Sequence, residues 1–186
     1  NKYSLDTDNF QILYISDFLP YKHQYNVVKS VIDLIKEGYD INITLIGKID
    51  ILQYNLIKEL LEKNKSIASK VKIMGQLNYT MVKDYLNNSS LFLFASTCEN
   101  LPFIILEAIS FGLPVITTDK MPMNQIVSGQ NILFDSLDIK SIKSVIKENL
   151  EEEKLYEISK LNYLKSKNYK WDTNVSQTIN YLKSIA

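Results

Sequence analysis

The 186-residue chain contains no arginine, because all 21 of its basic residues are lysine. A bidentate guanidinium clamp on a phosphate is therefore excluded, and any anion site must use lysine ammonium groups or backbone N–H groups. The 21 basic residues balance 21 acidic ones, so no net field attracts the chain to nucleic acid. The composition thus predicts that nucleic acid is not a partner.

Cysteine and histidine each occur once, as Cys98 and His23. A single cysteine excludes an internal disulfide and a cysteine metal cluster, and a Ser-His-Asp triad would have to use His23. Because no partner nucleophile is visible, His23 is interpreted as a loop residue. Cys98 is interpreted as a small buried filler.

Long apolar runs are also missing. None reaches the roughly 18 residues of a membrane-spanning helix, and no signal peptide is visible. Together with the single cysteine, this favours a cytoplasmic setting, in which any membrane contact is peripheral and at the inner face. The chain begins with Asn1 rather than methionine, and we therefore expect it to be a piece of a longer protein.

Short apolar or β-branched runs alternate with helical patterns along the chain. Strands are predicted at 11–16, 41–47, 71–75, 91–95, 114–118 and 131–134. Helices are predicted at 26–38, 53–64, 81–88, 102–112, 137–166 (in two segments) and 173–185, with a turn region at 119–130. This alternation predicts an α/β fold: one Rossmann-like domain over residues 1–186, with a doubly wound parallel sheet and helices on both faces.

The stretch STCENLPFIILEAISFGLPVIT (96–117) follows the buried run LFLFA (91–95) and contains the most informative pattern. Pro102 suits the first position of a helix, and Gly112 is expected to end it. In an open α/β sheet, ligands bind beyond the carboxyl ends of the strands, where this helix begins. Its free N–H groups and partial positive charge suit a phosphate.

Two glutamates flank that helix start: Glu99 in the preceding loop and Glu107 inside the helix. A carboxylate beside a phosphate repels it, so each glutamate is expected to face another group. An ionised carboxylate only accepts hydrogen bonds, and the hydroxyls of sugar and ribose rings are suitable donors. One diphosphate between two such rings describes a nucleotide sugar.

The stretch resembles the E-x7-E motif of retaining GT-B glycosyltransferases, especially glycosyltransferase family 4 (glycosyl transferases group 1). The similarity includes the proline after the first glutamate and the Gly-x-Pro-Val. It covers roughly Phe10 to the end, which corresponds to the C-terminal, donor-binding half of a GT-B enzyme. The further similar segments are ILYISDFLPYKHQYNVVKSV (12–31), ITLIG (43–47), VKIMGQL (71–77), NILFDSLDIKSI (131–142) and KWDTNVSQTINYL (170–182).

The resemblance implies catalytic roles for Glu99, which would hold the donor hexose hydroxyls, and for Lys22, which would neutralise the diphosphate. Glu107 would hold the ribose hydroxyls. No cofactor and no metal are implied, because lysine and the helix dipole would carry the charge for the leaving group. The remaining implied contacts are Asn100, Leu101 and Pro102 for the sugar, Phe103 and Ile104 for the diphosphate, and Gly75, Gln76 and Leu77 for the base.

Three positions depart from the family pattern. Asp17 stands where an arginine is usual, Gly47 is followed by Lys48 rather than by the usual small, glycine-containing loop, and Gln125 stands where a glutamate is common. The carboxylate of Asp17 is expected to weaken diphosphate binding unless it points away from the site.

The implied parent enzyme transfers a hexosyl unit from a nucleotide diphosphate sugar to a glycan or lipid-linked acceptor in polysaccharide biosynthesis. Its second partner would be an N-terminal acceptor-binding domain of the same full-length chain. By itself the present chain is predicted to bind donor weakly and to transfer nothing. Two alternatives stay open. One is another GT-B protein, such as a nucleotide-sugar epimerase or a glycogen-synthase relative. The other is a non-catalytic doubly wound module that binds protein.

Overall fold

The computed structural model describes residues 10–130 and 132–185. Within these residues, six strands form one parallel sheet in the order β3-β2-β1-β4-β5-β6. The strands are β1 (Phe10–Ile15), β2 (Ile41–Ile46), β3 (Val71–Ile73), β4 (Leu91–Phe94), β5 (Val115–Thr118) and β6 (Leu133–Phe134). The predicted fold class, a doubly wound Rossmann-like sheet, is confirmed.

Eight α-helices accompany the sheet in the described part of the chain. They are α1 (Gln24–Lys36), α2 (Ile51–Glu62), α3 (Tyr79–Asn88), α4 (Phe103–Ser110), α5 (Met123–Ile126), α6 (Ile139–Glu148), α7 (Glu152–Ser166) and α8 (Trp171–Ile185). Helix α1 packs against α2 and α6, and helix α4 packs against α5 and α7. Right-handed crossovers place these two groups on opposite faces of the sheet. No helix in the described ranges is both long and apolar enough to cross a bilayer.

The strand order reverses between β1 and β4, which pair with each other at the centre of the sheet. All four residues of β4 are buried, as expected for a parallel strand covered on both faces. The chain leaves β1 and β4 in opposite lateral directions, so a crevice opens beyond their carboxyl ends. This reversal places the loop of residues 16–23 beside the loop of residues 95–102.

Polar caps decide where several helices begin, and they explain small differences from the predicted bounds. Helix α2 starts at Ile51 rather than at residue 53, because the side chain of Asp50 accepts hydrogen bonds from the second and third helical N–H groups. Pro102 has an extended ψ of 92° and precedes α4 instead of opening it. Residues 20–22 and 65–70 form 3₁₀ turns, and α5 lies inside the predicted turn region. Asn131, the first residue of the predicted last strand, lies outside the described residues.

Gly47 lies where the loop after β2 crosses the loop after β1. Its φ is +152°, and a Cβ atom added there would lie 2.0 Å from the carbonyl oxygen of Ser16. The N–H of Gly47 donates to the carbonyl of Gly75 over 2.9 Å, and the N–H of Ser16 donates to the carbonyl of Ile46 over 2.9 Å. Hydrogen bonds thus continue past the strand ends and fix three neighbouring loops at the carboxyl edge of the sheet.

We predict that Gly47→Ala lowers the free energy of unfolding by at least about 2 kcal/mol, because the new methyl group overlaps the Ser16 carbonyl. Gly38→Ala is the matched control, since Gly38 also has a positive φ (+98°) but no atom within 4 Å of the added Cβ. The control should lose only about 1 kcal/mol from backbone strain. Urea denaturation of both variants measures the difference, and equal losses would contradict the close-approach explanation.

Candidate functional site

Lys22 ends the 3₁₀ turn Pro20–Lys22 that links β1 to α1, and only 9% of its surface is exposed. Its ammonium nitrogen lies 5.3 Å from the ring centroid of Tyr21 and 5.2 Å from that of Phe94. Both rings present electron-rich faces that attract a cation. The ammonium of this lysine is therefore flanked by two aromatic rings at the carboxyl edge of the sheet.

The ammonium of Lys22 forms an ion pair with the carboxylate of Glu99, which lies in the loop between β4 and α4. The two residues are 77 positions apart in the chain. Their side chains are 11% and 16% exposed, so solvent screens this pair much less than a surface pair. The structure thus joins the two residues that the sequence predicted to be catalytic.

Tyr14, in β1, forms hydrogen bonds with the backbone of both of these loops. Its hydroxyl donates to the carbonyl of Lys22 over 2.5 Å and accepts from the N–H of Ala95 over 3.3 Å. Burial raises the pKa of Tyr14 well above its usual range, so the hydroxyl keeps its proton and acts as a donor. The ring also stacks on Phe94, with centroids 5.9 Å apart. Tyr14 therefore fixes the backbone under both Lys22 and the start of the Glu99 loop.

His23 and Thr97 form a second connection between these loops. The Nε2 atom of His23 lies 2.9 Å from the Oγ1 atom of Thr97, and the N–H of Thr97 donates to the carbonyl of Tyr21 over 2.9 Å. Burial lowers the pKa of His23, against the opposing charge of Asp135, so the imidazole stays neutral to a lower pH than usual. The structure places His23 between the 3₁₀ turn and α1, in a left-handed conformation with φ 53°.

The N-terminus of α4 directly follows the Glu99 loop. No side chain caps it, and the first N–H groups of a helix have no acceptor within the helix. Phe103 is exposed, Ile104 is half-buried and Pro102 is buried. The predicted diphosphate contacts at Phe103 and Ile104 therefore lie at a helix start that has no side-chain cap among the described residues.

Glu107 lies in the second turn of α4 and lines a cavity of about 770 Å³. Leu101, Phe103 and Trp171 are among the residues around this cavity, which extends to the start of α8. Burial raises the pKa of Glu107. Glu107 is half-buried, and Leu101 of the Glu99 loop lines the same cavity.

The segment predicted to contact the base, Gly75, Gln76 and Leu77, follows β3 at the same edge of the sheet. Gly75 has φ +66° and accepts the hydrogen bond from Gly47. Gln76 is exposed and Leu77 is half-buried. Because β3 lies two strands from β1, strand spacing puts this segment about 10 Å to the side of the Lys22 loop.

The positions that depart from the family pattern have defined surroundings. The Oδ1 atom of Asp17 accepts the N–H of Lys48 over 2.9 Å, so one oxygen of this carboxylate is bound to the loop after β2. Gln125 is exposed in α5. The effect of Asp17 on diphosphate binding stays a prediction.

Cys98 is exposed, and its interpretation as a buried filler is wrong. The hydroxyl of Ser96 bonds both the N–H and the carbonyl of Cys98, over 3.5 and 3.4 Å. These bonds close a tight local turn, and the cysteine side chain lies outside it.

Several residues of the site carry no recognisable signal in the sequence. Tyr14 sits in a strand whose pattern marks only burial, and Phe94 ends a run of apolar residues. Thr97 lies two positions before Glu99, inside the motif stretch, and this proximity is the signal that could have identified it.

Several known proteins are similar to this chain in sequence or in structure. Escherichia coli O-antigen chain mannosyltransferase B is 29% identical over 95 residues, which are 50% of this chain and 25% of that protein. Sucrose-phosphate synthase from Thermosynechococcus elongatus superimposes with a TM-score of 0.83 at 17% identity, over 98% of this chain and 47% of that one. Anabaena HepE in complex with UDP and glucose gives 0.80 at 20% identity, over 95% and 49%.

The two solved structures share the fold with this chain, which spans about half the length of each. The family model described as glycosyl transferases group 1 matches residues 1–171 of the 186. That match agrees with the resemblance seen in the motif stretch and takes in every residue of the predicted site. The chain therefore belongs to the glycosyl transferases group 1 family.

Proposed function

We propose that this chain is the donor-binding domain of a retaining glycosyltransferase, which moves a hexosyl unit from a nucleotide diphosphate sugar to a glycan or lipid-linked acceptor. The observation that carries the proposal is the Lys22–Glu99 pair beside the uncapped start of α4. A cation, a carboxylate and free N–H groups meet at the crevice between β1 and β4. These three kinds of group suit a diphosphate joined to a hydroxyl-bearing ring.

In this proposal, Lys22 and the N–H groups of Phe103 and Ile104 bind the diphosphate. They would also stabilise the negative charge that builds up on the leaving group, because their positions are fixed before the reaction. Glu99 would accept hydrogen bonds from the hexose hydroxyls, beside the backbone of residues 100–102. No metal and no cofactor are expected, which stays a prediction from the sequence.

Glu107 would accept the ribose hydroxyls, and residues 75–77 would lie against the base. The half-buried position of Glu107 supports this role, because a partly dehydrated carboxylate binds hydroxyl donors more strongly than a solvated one does. The segment 75–77 is held at the same sheet edge as Lys22 by the loop contacts at Gly47.

The comparisons support the donor class and the existence of a second domain. HepE was solved with UDP and glucose, and the Escherichia coli relative is named an O-antigen chain mannosyltransferase. Since this chain spans about half of each solved structure, we propose that an acceptor-binding domain precedes it in the full-length protein. By itself the present chain would then bind donor weakly and transfer nothing. The full-length protein would act in the cytoplasm, with any membrane contact at the inner face.

Calorimetric titration with UDP-glucose, GDP-mannose and ADP-glucose tests the proposal. We expect at least one of these donors to bind. Glu107→Ala should weaken that binding about tenfold or more, because the ribose hydroxyls lose a charged acceptor. Glu59→Ala, which removes an exposed glutamate of α2, should have no effect. If none of the three donors binds, or if both variants behave alike, the proposal is wrong.

The raised pKa of Glu107 gives a prediction about stability. Because the folded-state pKa lies above the unfolded value, the ionised form destabilises the fold, and this penalty grows as pH rises through the folded pKa. Glu107→Gln removes the penalty, so the variant should melt at a higher temperature than the wild type at pH 7. Its advantage should disappear as pH falls below the unfolded pKa of about 4.3. Thermal unfolding between pH 4 and pH 8 measures this dependence, and a gain that is independent of pH would contradict it.

Tyr14→Phe tests the connection beneath Lys22. The ring is retained, but the Lys22 carbonyl and the Ala95 N–H lose their buried partner. We expect a loss of about 1–3 kcal/mol in the free energy of unfolding, together with severalfold weaker donor binding. Tyr79→Phe is the control, because Tyr79 is exposed on α3. Donor affinity equal to that of the wild type in folded Tyr14→Phe would show that the hydroxyl does not position the site.

A further inference from the structure

The Lys22–Glu99 pair affects the relative affinity of the site for free nucleotides and for nucleotide sugars. This inference rests on the proposed function. Among residues 10–130 and 132–185, Lys22 supplies the ammonium that lies in ion-pair contact with Glu99. The chain has no arginine that could substitute for it. A diphosphate that binds Lys22 therefore competes with a carboxylate for the same cation.

Moving Lys22 cannot easily relieve this competition. The ammonium lies 5.3 and 5.2 Å from the ring centroids of Tyr21 and Phe94. The backbone carbonyl of Lys22 is bound by the hydroxyl of Tyr14. Because both ends of the residue are held, a phosphate that binds this ammonium lies close to the Glu99 carboxylate.

A phosphate that binds Lys22 would deprive Glu99 of its ion-pair contact. Its side chain is only 16% exposed, so water can replace the lost ammonium contact only in part. A shielded carboxylate that loses its partner beside a phosphate is disfavoured by desolvation and by repulsion between like charges. The penalty is greatest for a free nucleoside diphosphate, whose terminal phosphate carries an extra negative charge where the sugar would be attached.

An intact nucleotide sugar reduces this cost. Its hexose would offer hydroxyl donors to the Glu99 carboxylate, which only accepts hydrogen bonds. The carboxylate would then exchange its contact with Lys22 for contacts with hydroxyls, and the ammonium would become available to the diphosphate. A free nucleoside diphosphate offers no such exchange.

We propose that the Lys22–Glu99 ion pair makes the site discriminate against free nucleoside diphosphate, the product of transfer, in favour of the intact sugar donor. Once the sugar has left, Glu99 regains Lys22 and weakens the hold on the diphosphate. The pair would thus lower the affinity of the site for its own leaving group and assist product release.

The test is calorimetric titration of the 186-residue chain with UDP, GDP and ADP and with UDP-glucose, GDP-mannose and ADP-glucose. Glu99→Gln keeps the size of the side chain and removes its charge. For the base that the wild type binds, we expect Glu99→Gln to tighten nucleoside diphosphate binding about tenfold. The sugar donor should gain less, so its advantage over the free diphosphate should shrink.

Two sets of variants show whether the effect passes through Lys22. In a Lys22→Met background, Glu99→Gln should tighten nucleoside diphosphate binding much less than in the wild-type background, because it then relieves only the repulsion between like charges and no competition for a cation. Asp40→Asn is the matched control, because it removes an exposed ion pair with Lys70. Asp40 directly precedes β2, at the amino edge of the sheet and away from the site. This control should leave every affinity unchanged.

Each outcome decides between the proposals. If a nucleotide binds the wild type but Glu99→Gln does not bind the free diphosphate more tightly, the inference is overturned and the proposed function survives. If none of the six ligands binds the wild type, both are overturned. Circular dichroism verifies that Glu99→Gln is folded. Should it not fold, Glu99→Asp, which retains the charge but shortens its reach, must show tighter diphosphate binding in its place.

Discussion

The ion pair between Lys22 and Glu99 is the contact on which the rest of the site depends. It forms because the strand order reverses between β1 and β4, so that two loops 77 residues apart meet over one crevice. A lysine contributes a point charge rather than a planar fork, and its position must therefore come from its surroundings. Two aromatic rings, the hydroxyl of Tyr14 and the carboxylate of Glu99 provide that restraint.

The backbone at the carboxyl edge supplies the rigid frame behind this pair. Gly47 allows the loops after β1 and β2 to touch, since any side chain there would overlap the Ser16 carbonyl. The N–H of Lys48 donates to Asp17 in the loop after β1, and the N–H of Gly47 donates to the carbonyl of Gly75 in the loop after β3. These hydrogen bonds fix the positions of the three loops relative to one another.

The charged side chains of the candidate site affect the stability of the fold. Glu107 is half-buried and its pKa is raised by burial, so its charge costs folding energy that a neutral residue would not. Glu99 is paired with Lys22, and in the inference drawn above this pairing competes with a phosphate. Polar groups of this kind are commonly retained at binding sites at the expense of the stability of the domain.

The sequence by itself determined the fold class, because the alternation of apolar runs and helical patterns is set by local periodicity. It also determined the family and the order of the motif residues around α4. It was wrong about Cys98, whose exposure depends on a local turn at Ser96, and about the exact role of Pro102 at the helix start. Only the tertiary structure decided that Lys22 meets Glu99, that the Tyr14 hydroxyl joins two loops, and that Asp17 is bound to the N–H of Lys48. These contacts depend on which strands are neighbours and on where each side chain points, and neither is encoded in residues adjacent along the chain.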